Sequence, residues 1–466
     1  MYTEYKQLNL AEIEKSILTF WEDKNIFEKS IHNRPDSKPY TFYEGPPSAN
    51  GMPGIHHVMA RAIKDIFCRY KTLKGFQVKR KGGWDTHGLP IELAVEKSLG
   101  ITKDDIGKKI SIEEYNDHCR KEVMKYTDVW NDLTRKMGYW VDLENPYITY
   151  ETEYIETLWW ILKEFHKKGL LYKGYTIQPF SPAAGTGLSS HELNQPGTYK
   201  MVTDTTIVAQ FRVKKDQIHP LTPILFEQEE EDTAFIAWTT TPWTLPGNSA
   251  LIVGKNIRYV KVSTFNAYTH LPVSVILAKD LVSKFFKEEA KDLDFKEYKA
   301  NDKLIPWEIK AEFSGSELLN LRYHQLMPYV DSPELEENAF KVIHGDFVST
   351  EDGTGIVHAS PTFGADDFRV CKENNVPAIL VKDENGKEGP IVDRQGRFVN
   401  EITDYAGRYV KEEFYSDEER AGSDFKPTDV LIAIKLKEEN KAFDVKRYEH
   451  SYPHCWRTDK PILYYP

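Results

Sequence analysis

Residues 40–70, YTFYEGPPSANGMPGIHHVMARAIKDIFCRY, constrain the fold more than any other stretch: strand formers, a glycine- and proline-rich loop and a helix-like run follow without a gap. Tyr40 to Tyr43 has the aromatic and β-branched content of a strand, and the loop at 45–54 cannot extend it. From Val58, the apolar residues Val58, Met59, Ala62, Ile63, Ile66, Phe67 and Tyr70 recur every three or four positions, which predicts a helix with that face buried. Gly75 ends it, and FQVKR at 76–80 reads as a second strand. So short a strand–helix–strand connection demands parallel strands, and the expected fold class is α/β with a doubly wound parallel sheet.

In such sheets ligands gather beyond the carboxyl ends of the strands, where helix N-termini present unpaired N–H groups to anions. Glycines let the backbone come close to a phosphate, and His56 and His57 stand where the helix begins. GGWDTHGLPIE at 82–92 follows the second strand in the same way and places Asp85 and His87 on the same rim. Beyond it, SIEE at 111–114 reads as a capping box opening a helical stripe from Ile112 through Trp130 to Met137, and a further helix is expected from about Tyr154 to Lys168. From about Tyr199 the texture changes to short β-rich runs, among them TAFIAWTTTPWTL and GTGIVHAS, separated by charged loops such as EQEEED at 227–232. That marks a second, β-dominated module.

A chain of 466 residues predicts two or three domains. Its charge of −11, from 72 acids against 61 bases, argues against binding nucleic acid through an overall field. A local basic track remains, RYKTLKGFQVKRK at 69–81, with six basic residues and no acid; a nucleic-acid contact and a solvated helix end both fit it. Cys68, Cys119, Cys371 and Cys455 form no C-x-x-C pair, so neither a disulfide framework nor a zinc site is expected, and His454 with Cys455 reads as structural burial. The densest apolar run, LWWIL at 158–162, is far too short to span a bilayer, and the N-terminus lacks a signal core. A cytoplasmic location with no membrane partner is expected.

Several motifs, in one order, resemble the class I aminoacyl-tRNA synthetases and, within them, the isoleucyl-tRNA synthetases. FYEGPPSANGMPGIHH is similar to the family's first signature, which ends His-x-Gly-His, and GWDTHGLPIE to its isoleucine-specific partner, a segment where valyl and leucyl relatives usually differ. AWTTTPWTLPGN and GTGIVHASPTFGADDF resemble the two pocket-forming segments of an editing domain inserted into the catalytic fold, and YPHCWRTDKPILYY the point where the chain re-enters that fold. The family's lysine-bearing second signature is absent from these 466 residues, and GIHH departs from the first, with Gly54 at its first histidine and His56 at its glycine. Family members are about twice this length.

The resemblance implies the first half of a Rossmann-type catalytic domain at 1–198, an inserted β-rich editing domain at 199–421, and a return segment at 422–466. It implies ATP with Mg2+ as a substrate, isoleucine and tRNA(Ile) as the other partners, and a monomer. Gly45 and Pro46 would wall the isoleucine pocket, Asp85 would hold the ammonium group, and Gly54, His56 and His57 would form the ATP-binding signature, with the two imidazoles on the phosphates. Thr239, Thr240, Thr241, His358 and Asp367 would serve the editing hydrolysis, with Asp367 on the aminoacyl ammonium. Trp238, Trp243 and Phe363 fit either the core or an adenosine wall. A tRNA-binding or regulatory module without chemistry, and a valyl- or leucyl-specific enzyme, are the alternatives.

Overall fold

The structure is a computed structural model describing residues 7–227, 232–291, 293–300, 302–383 and 386–466; most of the acidic run at 227–232 lies outside the described residues. The chain divides into two compact units, Met1–Lys173 and Gly174–Pro466.

The first unit carries α1 (Leu10–Asp23), α2 (Ile26–His32), β1 (Pro39–Tyr43), α3 (Ile55–Leu73), β2 (Gln77–Trp84), α4 (Leu89–Leu99), α5 (Ile112–Val123), α6 (Thr127–Lys136), β3 (Asp142–Ile148) and α7 (Thr152–Lys167). Strands β1 and β3 flank β2 and both run parallel to it, with Tyr40 opposite Val78 and Trp84 opposite Ile148. The βαβ unit is therefore present, and the loop between β1 and α3 lies at the carboxyl end of β1.

Two expectations need correction. Helix α3 forms where its period predicts, but it faces the other way: Arg61, Cys68 and Thr72 are buried, whereas Met59, Ile63, Ile66 and Phe67 are 54–64% exposed. The face it buries carries a charged cluster instead of the apolar stripe. Arg80 of β2, almost fully buried, donates to Asp65 at 3.2 Å and to the Thr72 hydroxyl at 2.7 Å, while Arg69 binds Asp65 and lies 4.1 Å from the Trp140 ring centre. A buried arginine needs its partners on the facing helix surface. Arg69 and Arg80, at the two ends of the basic track, are thus engaged within the unit.

The second correction concerns the stripe from Ile112 to Met137, which is two helices. Ser111 caps α5 by accepting the Glu114 N–H at 3.1 Å, but the chain breaks after Val123, where the Tyr126 N–H donates to Ala49 O at 2.9 Å. The break lets α6 place Trp130, 2% exposed, against the β1–α3 loop, its indole N–H donating to Gly51 O at 2.8 Å.

The second unit is built on a six-stranded sheet in the order Glu308–Ser314, Arg258–Phe265, Pro272–Ala278, Asp232–Thr239, Tyr199–Arg212, Ala442–Pro453. Its last two strands form a long antiparallel ribbon, from Ala442 opposite Ala209 to Pro453 opposite Tyr199. A three-stranded sheet has Ala250–Val253 at its centre, parallel to Lys341–His344 and antiparallel to Ile356–Ala359. Phe211, Phe235, Tyr259 and Tyr323 fill the core, and Trp243 and Phe363 join it edge to face at 5.0 Å. Trp238 is half-buried, 5.1 Å from the Tyr448 ring. His454 and Cys455 are buried.

Candidate functional site

Each unit holds one cluster. In the first, a cleft of 490 Å³ opens where β1 ends, lined by Glu44, Gly45, Pro46, Asn50, Met52, His57, Arg61, Lys64 and Trp130 among others. Gly45, Pro46 and His57 thus come together; Gly54, His56 and Asp85 are not in its lining.

His57 occupies the third position of α3, and its Nδ1 accepts the Gly54 N–H at 2.9 Å, filling one of the unpaired donors of a helix start. Burial, then the neighbouring His56 and Arg61, lower its pKa, which favours the neutral ring. The exposed His56 ring packs 3.8 Å from it. Gly54 supplies the space: a Cβ there would come 2.8 Å from His56 Cε1. Asp85 turns to local work, its carboxylate accepting the His87 N–H at 3.4 Å while its own N–H donates to Pro47 O at 3.1 Å. Three cleft residues escaped sequence reading. Glu44, 5% exposed, binds Lys64 at 2.5 Å and accepts from the Tyr139 hydroxyl; Arg61 stacks 4.7 Å over Trp130.

The second cluster lies on the turn Pro242–Gly247, which follows the strand Asp232–Thr239. Thr239 Oγ1 accepts the Thr241 N–H at 3.0 Å and lies 3.3 Å from Thr241 Oγ1. The Thr244 hydroxyl donates to Thr241 O at 2.8 Å and sits 2.9 Å from His358 Nε2. Tyr323, fully buried, donates to Asn248 Oδ1 at 2.7 Å, and Asn248 Nδ2 faces His358 Nδ1 at 3.5 Å. With Asn248 donating to Nδ1, the imidazole carries its proton on Nε2 and offers it to Thr244. Burial without an acidic partner lowers His358 to about 4, so the ring is neutral at pH 7.

Asp367 stands in the first turn of the helix Ala365–Glu373, and its Oδ2 accepts the Ser360 N–H at 2.8 Å. Ser360 in turn donates to Gly247 O at 3.1 Å, which ties the carboxylate to the threonine turn. Desolvation raises Asp367 to about 6, against the pull of the Ser360 N–H. The structure therefore joins Thr239, Thr241, His358 and Asp367 through hydrogen bonds, and Thr240 stands outside this relay. Thr244, Asn248 and Ser360 were missed, although all three lie inside or beside the segments the sequence singled out. Among the described residues no group of three or more His, Cys, Asp or Glu side chains is placed to hold a metal ion, and no helix is long and apolar enough to cross a membrane.

The family described as tRNA synthetases class I (I, L, M and V) matches residues 16–306. The chain is 62% identical over 468 residues to the isoleucine–tRNA ligase of Cytophaga hutchinsonii, covering 99% of this chain and 41% of that protein. It is 53% identical over 497 residues to the enzyme of the same name from Bacteroides thetaiotaomicron, covering 100% and 42%, and 40% identical over 466 residues to that of Clostridium tetani, covering 99% and 38%. It thus spans about two fifths of the length of the curated relatives it matches. The βαβ unit, the cleft where β1 ends and the threonine-bearing turn all fall within the matched residues, and the chain belongs to the class I tRNA synthetases of the I, L, M and V group.

Proposed function

We propose that this chain carries the amino-acid side of an isoleucine-activating site and a complete hydrolytic editing site for valyl-tRNA(Ile). The observation that carries the reading is the hydrogen-bonded relay Thr241–Thr244–His358 with Asp367 tied to the same turn, in a chain whose relatives of 53–62% identity are isoleucine–tRNA ligases along its whole length. The 466 residues would form the protein's first catalytic half, with ATP–Mg2+, isoleucine and tRNA(Ile) as substrates of the whole enzyme and a monomer as its unit.

An editing site answers a limit on selection. A pocket gains only roughly 1–3 kcal/mol from one methylene, a limit known from isoleucine against valine in this enzyme class, so valine is activated too. In the editing site Asp367 holds the ammonium of the misplaced valine, the threonine hydroxyls orient the ester and the attacking water, and neutral His358 fixes Thr244 through its Nε2–H. Water adds to the ester carbonyl, the bond to the ribose oxygen breaks, and valine and free tRNA leave. In the first unit Gly45 and Pro46 wall the amino-acid pocket, and His56 and His57 meet the phosphates. Asp85 remains the ammonium partner there in this reading, with its carboxylate turning from the His87 N–H on binding. The test is hydrolysis of valyl-tRNA(Ile) against isoleucyl-tRNA(Ile) by the 466-residue chain; equal or absent rates with both would overturn the editing reading.

Because Asp367 must be ionised to hold an ammonium, valyl-tRNA hydrolysis is expected to rise with pH through about 6 and then level off. Asp367→Asn should abolish that inflection. Its pKa lies above the unfolded 3.8, so the folded chain holds this proton more tightly and the carboxyl's contribution to stability falls as pH rises from about 4 to about 6. A flat rate profile between pH 5 and 7.5 would exclude Asp367 as the titrating partner.

For the altered first signature, His56 takes the place of the absent first histidine and Gly54 makes its room. In a ligase of full relative length bearing this chain, His56→Ala should lower adenylation by on the order of 10²-fold, the cost of one oriented donor. The swap Gly54→His with His56→Gly should largely retain it. Normal activation by His56→Ala would end the compensation reading.

A further inference from the structure

The turn that carries the editing threonines is a short 3-10 helix, and its own cap position is not used as a cap. Thr241 precedes Pro242 at the cap and makes no side-chain bond to the turn's N–H groups; its hydroxyl faces Thr239 and Thr244. The turn still needs an acceptor for its first free donor, because a buried N–H without a partner loses its hydration and gains nothing in return. The acceptor comes from 186 residues away: Asp429 Oδ1 receives the Trp243 N–H at 2.9 Å. Asp429 lies on the helix Thr428–Glu438 and is 7% exposed.

A neutral acceptor would satisfy Trp243 as well, so the carboxylate needs its own explanation. Lys411, 4% exposed, is the cation acting on it, but desolvation prevails and raises Asp429 to about 7; the Lys411 ammonium itself binds Asp204 Oδ2 at 2.6 Å and lies 4.3 Å from the centre of the Tyr452 ring. Asp204 also meets His450 Nε2 at 3.1 Å. Glu413 is a further acid acting on Asp429. Asp204 belongs to one strand of the long ribbon, and His450 and Tyr452 to the other. The threonine turn is thereby fastened to the helix Thr428–Glu438, and the acid that fastens it lies in the field of a buried Lys411–Asp204 pair seated on the widest sheet of the unit. Buried ion pairs add little net stability, and their best-attested use is to fix one geometry among several.

We infer that Asp429 is a positioning residue for the editing reaction: it caps the Pro242–Gly247 turn from a distance, so that the Thr241 and Thr244 hydroxyls stay free to face the ester and His358. The inference rests on the editing reading above. Distances govern such effects steeply, since a shift of about 1 Å in a positioning group can cost on the order of 10²-fold in rate.

The test uses the 466-residue chain and valyl-tRNA(Ile). Asp429→Glu keeps the charge and the acceptor but pushes the oxygen one methylene farther. It should lower the kcat of deacylation at least tenfold, with KM within about twofold and the melting temperature little changed. Asp429→Asn keeps the acceptor in place and should retain kcat within about threefold. Deacylation by Asp429→Glu at the parent rate, or a loss in Asp429→Asn as large as in Asp429→Glu, would overturn the role. Amide hydrogen exchange of the segment spanning 242–248 gives a second readout that needs no tRNA. Protection there should fall in Asp429→Glu and persist in Asp429→Asn, and unchanged protection in Asp429→Glu overturns the capping. Should the parent chain itself fail to hydrolyse valyl-tRNA while exchange follows this pattern, the editing reading fails and the cap stands.

Discussion

Asp367→Ala is expected to remove most valyl-tRNA hydrolysis from this chain while leaving it folded. An ammonium ion in a partly dehydrated site needs an anionic partner, and a charge-assisted hydrogen bond is roughly twice as strong as a neutral one. Truncating one partner of such a buried pair costs roughly 2–5 kcal/mol, and at about 1.4 kcal/mol per decade the rate should fall by at least about thirtyfold. Backbone donors, the Ser360 N–H at 2.8 Å among them, orient the carboxylate, and desolvation raises its pKa so that a bound cation would stabilise its charged form. Its neighbour Gly364 has to lack a side chain, since a Cβ would sit 2.8 Å from the Asp367 carboxyl carbon. Thr241→Ala should cost less, because Thr239 and Thr244 hydroxyls lie within 3.4 Å of the position it vacates. The measurement is single-turnover deacylation at high chain concentration, or with a short aminoacylated acceptor mimic. A parent-like rate in Asp367→Ala, with an unchanged melting curve, would leave that acid as loop charge.

The limits of legibility fall at identifiable residues. Turn chemistry was readable: the break after Tyr43, the helix start at Gly54 and the texture change at Tyr199 all coincide with observed elements. Period was readable in α3, but direction was not. Apolar spacing reports that a helix has two faces; the one that is buried here carries Asp65 and Thr72, which meet Arg80 of β2, a pairing separated by up to fifteen residues and without a trace in the apolar period. The stripe through Trp130 was readable as helical, and its interruption at Tyr126 was not, because the cause is a carbonyl at Ala49. At the proposed editing site the motif segments carried Thr239, Thr241, His358 and Asp367, while hydrogen-bond partners of that cluster came from unmarked places: Tyr323 from a loop and Asp429 from beyond the segment expected to form the editing domain. Local chemistry leaves a local trace, and long-range hydrogen bonds leave none in one sequence.

No isoleucine-dependent exchange of pyrophosphate into ATP is expected from the 466-residue chain, although the same preparation should deacylate valyl-tRNA. Adenylate formation develops negative charge on the leaving pyrophosphate, and oriented cations aimed at that charge supply much of the rate. Neither cation near the cleft is presented to it as a free donor: Lys64 is bound to Glu44 at 2.5 Å, and Arg61 lies over Trp130 with Nε and Nη1 buried and, among the described residues, without hydrogen-bond partners. His57 has its pKa lowered and spends Nδ1 on the Gly54 N–H, so it offers one neutral donor. The lysine-bearing second signature of the family does not occur in this sequence. Loss of a single oriented donor costs about 10²–10³ in rate, and here a whole loop of them is wanting, so exchange should fall below that of a full-length relative by more than that factor. The deacylation control separates a folded chain without the cations from an unfolded one. Exchange within tenfold of a full-length isoleucine–tRNA ligase would mean that the residues at 40–92 complete an activating site unaided, and that His56, His57 and Arg61 carry the phosphate charge among themselves.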